Sequence, residues 1–340
     1  MGALNRSQPS GRALAAAILL LTSPAVWLAA QPPQPATSLT LVSTAWPPFT
    51  NLPGQPRFAL DLVEAALGRV NITAKTIIVG APQFTSSLLS GLFDGSAAAW
   101  KDPDRERVLL FSQPYLQNRL VLVARHGADV SAKSLANLTG KRVAIVGGYS
   151  YGADIDGAGP AWIRSNSEED SLTQLLKNRA DYALMDELVV EYIVSNYPKE
   201  SEQKLQIGGT PLVRRELYLA VARGRADAQS IVDRFNAQLP GMISDRTYHR
   251  LLHVDWIRAD INGTPRYVPV SDRVGTTAPE RVYTLFSAPE PEAEPPVKPG
   301  FYVGGNIYND WASVPENYKV SNSDKPDPRR STGTIFRFTW

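Results

Sequence analysis

A serine between two glycines, a carboxylate and two histidines occur here in an order that could build a nucleophile. Gly148-Tyr149-Ser150-Tyr151-Gly152 is a literal G-x-S-x-G after an apolar run, with Asp186 and then His249 or His253 downstream. In that order an imidazole oriented by the carboxylate takes the serine proton, and the oxygen attacks an acyl carbon. Order alone is weak support, because no H-G-G-G loop precedes the pentapeptide to hold an oxyanion. His249 and His253 are spaced i, i+4, as two zinc ligands on a helix would be, but Arg250 stands where H-E-x-x-H needs glutamate. Two residues sharing one helix face is the simpler account. Asp260-Ile261-Asn262-Gly263 starts like a calcium loop and lacks the later acidic ligands, so a turn is expected. The remaining candidate is Arg105, in Asp104-Arg105-Glu106-Arg107, just after Ser96-Ala97-Ala98-Ala99-Trp100, which reads as a buried strand.

The stretch from Asp104 through Phe111-Ser112-Gln113-Pro114-Tyr115 closely resembles the eR…FS.PY signature of bacterial extracellular solute-binding proteins, family 3, with Arg105 six residues before Phe111. Trp46-Pro47-Pro48-Phe49, Asp61, Gly140-Lys141-Arg142-Val143 and Asp181 to Asp186 match in family order, extending the resemblance from residue 38 to about 257. It implies an α/β, two-lobed, type II periplasmic-binding-protein-like fold with two interlobe crossings and a cleft between the lobes. The implied function is capture of an amino acid or similar small zwitterion by lobe closure, for ABC-type import or for sensing, without catalysis. A few family members have become enzymes such as dehydratases, but no residue here points that way.

A desolvated carboxylate calls for a bidentate, permanently charged arginine, and a desolvated ammonium for a carboxylate. By the resemblance, Arg105 takes the ligand α-carboxylate and Asp186 the α-ammonium, both from the open cleft. Main-chain N–H groups around Tyr149 and Ser150 match the second carboxylate contact. Trp46 matches the aromatic residue that packs on the ligand, and its indole face also attracts cations. Taken without the family, Arg105 could pair with Asp102 or Asp104, and Asp186 could cap the helix starting at Glu187. The chain departs from the pattern at Trp100, where relatives often carry threonine, at Ser43, where some use an acidic residue for the ligand side chain, and at Val146 and Met185, which replace polar readers of that side chain. The pocket therefore reads as apolar and aromatic, lined from Trp46, Trp100, Phe84, Tyr149 and Tyr151, and suited to an aromatic or otherwise uncharged amino acid.

The elements that must carry these residues alternate in type. Leu39 to Ser43 reads as a strand that Pro47 and Pro48 stop, and apolar residues at 58, 62, 63, 66, 67 and 70 have helical spacing. Strands are expected at Lys75 to Val79, up to Trp100, and at Asn118 to Ala124, with a short helix at Gln83 to Leu89. The second unit has strands at Arg142 to Val146, Tyr182 to Met185 and Leu217 to Ala222. Its helices are one capped by Ser167, Glu187 to Ser195, Asp227 to Leu239 and Tyr248 to Val254. This order favours a mostly parallel sheet with ligands at the strands' carboxyl ends. Lobe 1 is assigned 38–124 and 223–257 and lobe 2 125–222, with crossings near Val123 to Arg125 and Leu219 to Ala222.

Arg6 and Arg12 precede an apolar run, Ala13 to Leu21, and small residues at Ala25, Ala29 and Ala30, so residues 1–30 read as a secretory signal peptide and the protein as periplasmic. Without them basic and acidic residues balance at 33 each, and nothing suggests a nucleic-acid partner. With no cysteine there is no disulfide, thiolate metal site or lipidated cysteine, and no cofactor is indicated. A membrane component of an ABC importer is the expected partner besides the ligand. Residues 258–287 form an extension, 288–300 a proline-rich linker, and 301–340 a β-rich tail with an alternating aromatic end, Thr334 to Trp340. The tail holds too few strands to close a barrel, so it should dock on the binding domain or a partner.

Overall fold

Strands Gly95–Ala99 (β3), Arg142–Val146 (β6) and Tyr182–Asp186 (β8) are buried almost throughout and carry little alternation, the signature of parallel strands covered on both faces. The computed structural model describes residues 37–152 with Gly2, Ile155 and 159–252, then 256–261, 264–269, 274–275, 283–284, 300–303 and 306–320. The expected signal segment beyond Gly2, all but Gly300 of the proline-rich linker, His253 and the Thr334 to Trp340 strand lie outside the described residues, as does the side chain of His249. Residues from Ala36 onward belong to one unit.

In the first lobe Thr37–Thr44 (β1) pairs in parallel with Ile72–Val79 (β2) and with β3. Phe58–Gly68 (α1) covers them, burying Phe58, Leu62, Val63, Ala66 and Leu67, the residues whose spacing predicts the helix. Ala81–Leu89 (α2) follows β2, and Pro103–Val108 (α3) and Leu109–Phe111 (β4) follow β3. In the second lobe β6 pairs in parallel with Ala161–Ser165 (β7) and with β8. Its helices are Glu168–Leu176 (α4), Glu187–Asn196 (α5) and Pro198–Lys204 (α6), the last leading into Leu205–Ile207 (β9).

Two long antiparallel strands join the lobes: Leu116–Arg125 (β5) and Val213–Ala222 (β10). The strand order is β2-β1-β3-β10-β5-β8-β6-β7, with β4 on β10 and β9 on β5. β10 pairs with β3 and β4 through Tyr218 to Ala222 and with β5 through Val213 to Leu217. β5 joins β8 from Leu120 to Ala124. β10 thus changes partner between Leu217 and Tyr218, and both β5 and β10 begin before the strand limits that the sequence predicts. Half-buried polar residues Gln117, Arg119 and Glu216 start these strands and hide them from an apolar pattern. At Gly95 the two strands are so close that a Cβ would lie 1.9 Å from the Ala220 carbonyl oxygen, and its φ is +145°. Glycine is required there.

Ala228–Asn236 (α7), Leu239–Ser244 (α8) and Thr247–Leu252 (α9) return to the first lobe, where Tyr248 donates to the Tyr115 carbonyl. The expected helix over Asp227 to Leu239 is thus two, the second having Pro240 in its first turn, where proline is tolerated. Beyond them Trp256–Ile261 (β11) and Thr264–Pro269 (β12) pair antiparallel, with Ile261 opposite Thr264; Asn262 and Gly263, on which the turn reading falls, lie outside the described residues. Phe301–Val303 (β15) adds to β12 and Asn306–Tyr308 (β16) to β15, and Tyr283–Thr284 (β14) lies along β11. Val274–Gly275 (β13) pairs with Lys319–Val320 (β17). This is the small β-rich extension.

Candidate ligand-binding site

Arg105 reaches the interlobe cleft because Asp102 caps α3, accepting from the Arg105 amide at 2.8 Å. The side chain is buried, 2% exposed. Nη1 donates to the Trp100 carbonyl at 2.9 Å, and Nη2 spans the cleft to the Gly148 carbonyl at 3.3 Å, with Thr85 Oγ1 at the same distance. Nε lies 3.4 Å from Asp102, and the guanidinium rests over the Phe84 ring, 5.5 Å from its centroid. Burial lowers its pKa, and the Asp102 charge opposes that.

The Gly147 to Gly152 turn at the end of β6 presses on the first lobe at three further places. Thr85 donates to the Gly148 carbonyl at 2.7 Å, Tyr149 shares a hydrogen bond with Thr44 at 3.2 Å, and the Ser150 hydroxyl donates to Asp102. Gly148 has φ +81°, and a Cβ there would meet the Ala81 carbonyl at 3.3 Å. Ser150 therefore spends its proton on a carboxylate across the cleft, and among the described residues no imidazole contacts it. The side chains of His249 and His253, the bases of the nucleophile reading, lie outside the described residues.

Four aromatic residues fill the cleft. Trp46, in the loop after β1, stands edge-on to Trp100 at 5.5 Å and to Tyr149 at 5.9 Å; Trp100 meets Tyr149 at 5.6 Å and Tyr151 at 5.3 Å. The indole N–H of Trp100 donates to Asn118 at 2.7 Å, and the Tyr151 hydroxyl accepts from the Val146 amide at 3.0 Å. The cavity left beside Trp46, Phe84, Trp100, Arg105, Tyr149 and Ser150 is about 20 Å³, room for about one water. Tyr151 does not border it.

Asp186 ends β8 and caps α5. Its Oδ1 accepts from Leu188 N at 2.8 Å, and its Oδ2 from Asn118 Nδ2 at 3.1 Å and Arg119 N at 3.0 Å. It is buried, whereas the sequence places it facing an open cleft, and burial together with the Glu187 charge pushes its pKa up to about 7. A carboxylate offers about four acceptor sites, so three donors leave one on Oδ1.

Asp61 and Asp181 are structural. Asp61 pairs with Arg57 at 2.8 Å, and Asp181 with Arg142 at 2.7 Å, tying β6 to the turn before β8. The sequence reading misses Glu168, the first residue of α4. It is buried, and its Oε2 has no hydrogen-bond partner. Burial, then Asp186 and Glu169, push its carboxyl up to about 8, against the Trp46 indole N–H that faces it without closing an aligned bond. Glu168-Glu169-Asp170 after a capping serine reads as acids favoured by a helix N-terminus, and nothing in that run marks which one turns inward.

The model of the bacterial extracellular solute-binding proteins, family 3, matches residues 40–258. The ABC transporter arginine-binding protein 1 of Escherichia coli is 22% identical over 216 residues, 62% of this chain and 86% of that protein. The virulence sensor protein BvgS of Bordetella pertussis is 25% identical over 155 residues, 45% of this chain but only 12% of the sensor. Among solved structures, the GluR0 ligand-binding core from Nostoc punctiforme with L-glutamate superposes with TM-score 0.52 at 22% identity, covering 63% of this chain and 96% of that one. An ancestral arginine-binding protein bound to arginine gives 0.53 at 22% identity, covering 64% and 96%. At these identities the structures establish a shared fold.

Proposed function

Because the chain belongs to the bacterial extracellular solute-binding proteins, family 3, we propose that it captures an amino acid or similar small zwitterion in the periplasm by closing its lobes. The observation that supports this reading is that Arg105 lines the cleft cavity with Trp46, Phe84, Trp100, Tyr149 and Ser150, while Asp186 accepts from Asn118, the residue that holds the Trp100 indole. A ligand carboxylate replaces the long Gly148 contact of Arg105, and a ligand ammonium takes the acceptor site left on Asp186. Since the residual cavity holds about one water, entry requires the lobes to part and the rings to separate. An ABC-type membrane component is the partner to test first, since the Escherichia coli importer protein is matched over most of its length and the sensor over a small part.

Isothermal calorimetry against an amino-acid panel, with each hit's deaminated and amidated analogues, tests the assignment. Arg105→Ala should bind about thirty-fold or more weakly and stop discriminating acid from amide. Asp186→Asn, which keeps an oxygen for the helix cap, should stop discriminating the amino acid from its deaminated analogue. Parent protein indifferent to both analogues would sink the zwitterion reading.

A further inference from the structure

The Gly147 to Gly152 turn is fixed to the second lobe at its base and grips the first lobe at its tip. At the base, Gly147 N donates to the Ser165 carbonyl at 2.8 Å, and the Tyr151 hydroxyl accepts from the Val146 amide at 3.0 Å. Arg215 of β10 packs on the far end: its Nη1 stands 2.8 Å from where a Gly152 Cβ would lie, and its Nη2 donates to the Lys101 carbonyl of the first lobe. At the tip, every residue from Gly148 to Ser150 bonds across the cleft. The Gly148 carbonyl accepts from Thr85 and Arg105, Tyr149 meets Thr44, and Ser150 donates to Asp102, which also faces the Arg105 guanidinium. The Tyr149 ring completes the contact, edge-on to Trp46 and Trp100 of the first lobe at 5.9 and 5.6 Å. What remains beside these side chains holds about one water, less than any amino acid needs.

We propose that this turn is an internal latch that competes with the solute: its Gly148 carbonyl and Tyr149 ring occupy the cleft, so the lobes close on the turn alone. A captured solute then holds the lobes further apart than the turn does. The inference rests on the zwitterion reading above and extends it. The latch satisfies polar groups that closure buries. A buried guanidinium without an acceptor is costly, and the Gly148 carbonyl gives Arg105 one where a solute carboxylate would otherwise stand. The hydroxyls of Thr85 and Ser150 find acceptors on the opposite lobe in the same way. Glycine at 148 suits the close approach, because its φ is +81° and a Cβ would meet the Ala81 carbonyl, at the start of α2, at 3.3 Å. Such a latch sets affinity by population: the more the latched form outweighs the open one, the more solute is needed to fill the cleft. The serine of the G-x-S-x-G sequence thereby acquires a role as a fastening.

The chain has no cysteine, so two introduced cysteines carry spin labels that report the lobes alone. Gln83→Cys, in the first turn of α2, and Asn166→Cys, just after β7, are exposed and follow the carboxyl ends of strands in opposite lobes. Pulsed dipolar spectroscopy on the full chain, dialysed from denaturant to strip any carried solute, should give one short and narrow distance. Tyr149→Phe with Ser150→Ala removes two hydroxyl contacts across the cleft and keeps the ring and the main chain. It should shift the distances outward and tighten calorimetric binding of any amino acid that the parent binds by about tenfold. Saturating that amino acid should lengthen the parent's distance, whereas lobes that shut only on a solute would draw together. A long or broad distance in the stripped parent, a distance that the double variant leaves unchanged, or a shortening with amino acid overturns the latch and spares the zwitterion reading. If no amino acid binds the parent or the variant, the zwitterion reading fails, and the distances without solute still decide the latch. Should the double variant misfold, Thr85→Val, which removes one donor to Gly148, takes its place with the same expected outward shift.

Discussion

At Asp186 one carboxylate serves an element and a site together: it ends a strand, caps the next helix, accepts from Asn118 and Arg119 on β5, and keeps one acceptor site. With Glu168 it makes a buried acidic pair whose effect on stability has a definite sign. The unfolded chain releases both protons near pH 4, whereas the folded chain holds them until about pH 7 and about pH 8. Between those limits the folded state binds more protons, so stability falls as pH rises. Depressed carboxyls such as Asp102 and Asp181 titrate below this window and do not offset it. The ligand-free melting temperature is therefore expected to drop from pH 5 to pH 8.5, and Glu168→Gln should flatten the upper part of that drop. A melting temperature that rises across the window would mean that these carboxyls are ionised throughout and are not desolvated. The two residues also mark what sequence can show. Asp186 was legible from its place after Asp181-Tyr182-Ala183-Leu184-Met185; Glu168 was not, since its burial depends on how α4 packs against Trp46 from the other lobe.

Elements that bury one continuous apolar face were readable, and those that bridge were not. Strands β1, β6 and β8 and helices α1 and α5 fall within a few residues of their expected limits because their own side chains fill the core. Strand β7 was missed: Ala161-Trp162-Ile163-Arg164-Ser165 offers two apolar residues beside an arginine, and its pairing with β6 makes it a strand. Strands β5 and β10 begin earlier than expected because pairing across the lobes holds their polar starts. The tightest point of that bridge is Gly95 against Ala220. Gly95→Ala combines a 1.9 Å clash with a backbone angle that L-residues rarely adopt, and should cost at least about 2 kcal/mol. Urea unfolding measures it. A loss under about 0.5 kcal/mol would show that β3 and β10 can part locally and that the bridge is soft.

Over the whole molecule, the binding fold and the C-terminal strands have separate cores. Phe301, Val303 and Val314 pack with Tyr308, Trp311 and Tyr318, while Tyr302 alone of β15 touches the main core. The tail docks by edge addition, β15 on β12 through Tyr267 opposite Phe301 and β16 on β15, and the described tail residues do not border the cleft. Of the sequence's short aromatic strands, Phe301 to Val303 and the Tyr308 strand are thus present, and the partner of the first is the hairpin that follows the matched region. Truncation after Ser287 removes β15, β16 and β17 and leaves both lobes, both crossings and the pairs around Arg105, Asp186 and Glu168. It should change ligand affinity by less than about two-fold while lowering the melting temperature, because an edge of β12 loses its cover and Tyr302 leaves the main core. Calorimetry on the truncated protein with a ligand that binds the full chain is the measurement. A loss above about ten-fold would make the tail part of lobe closure, and the independence of the two cores would then be structural but not functional.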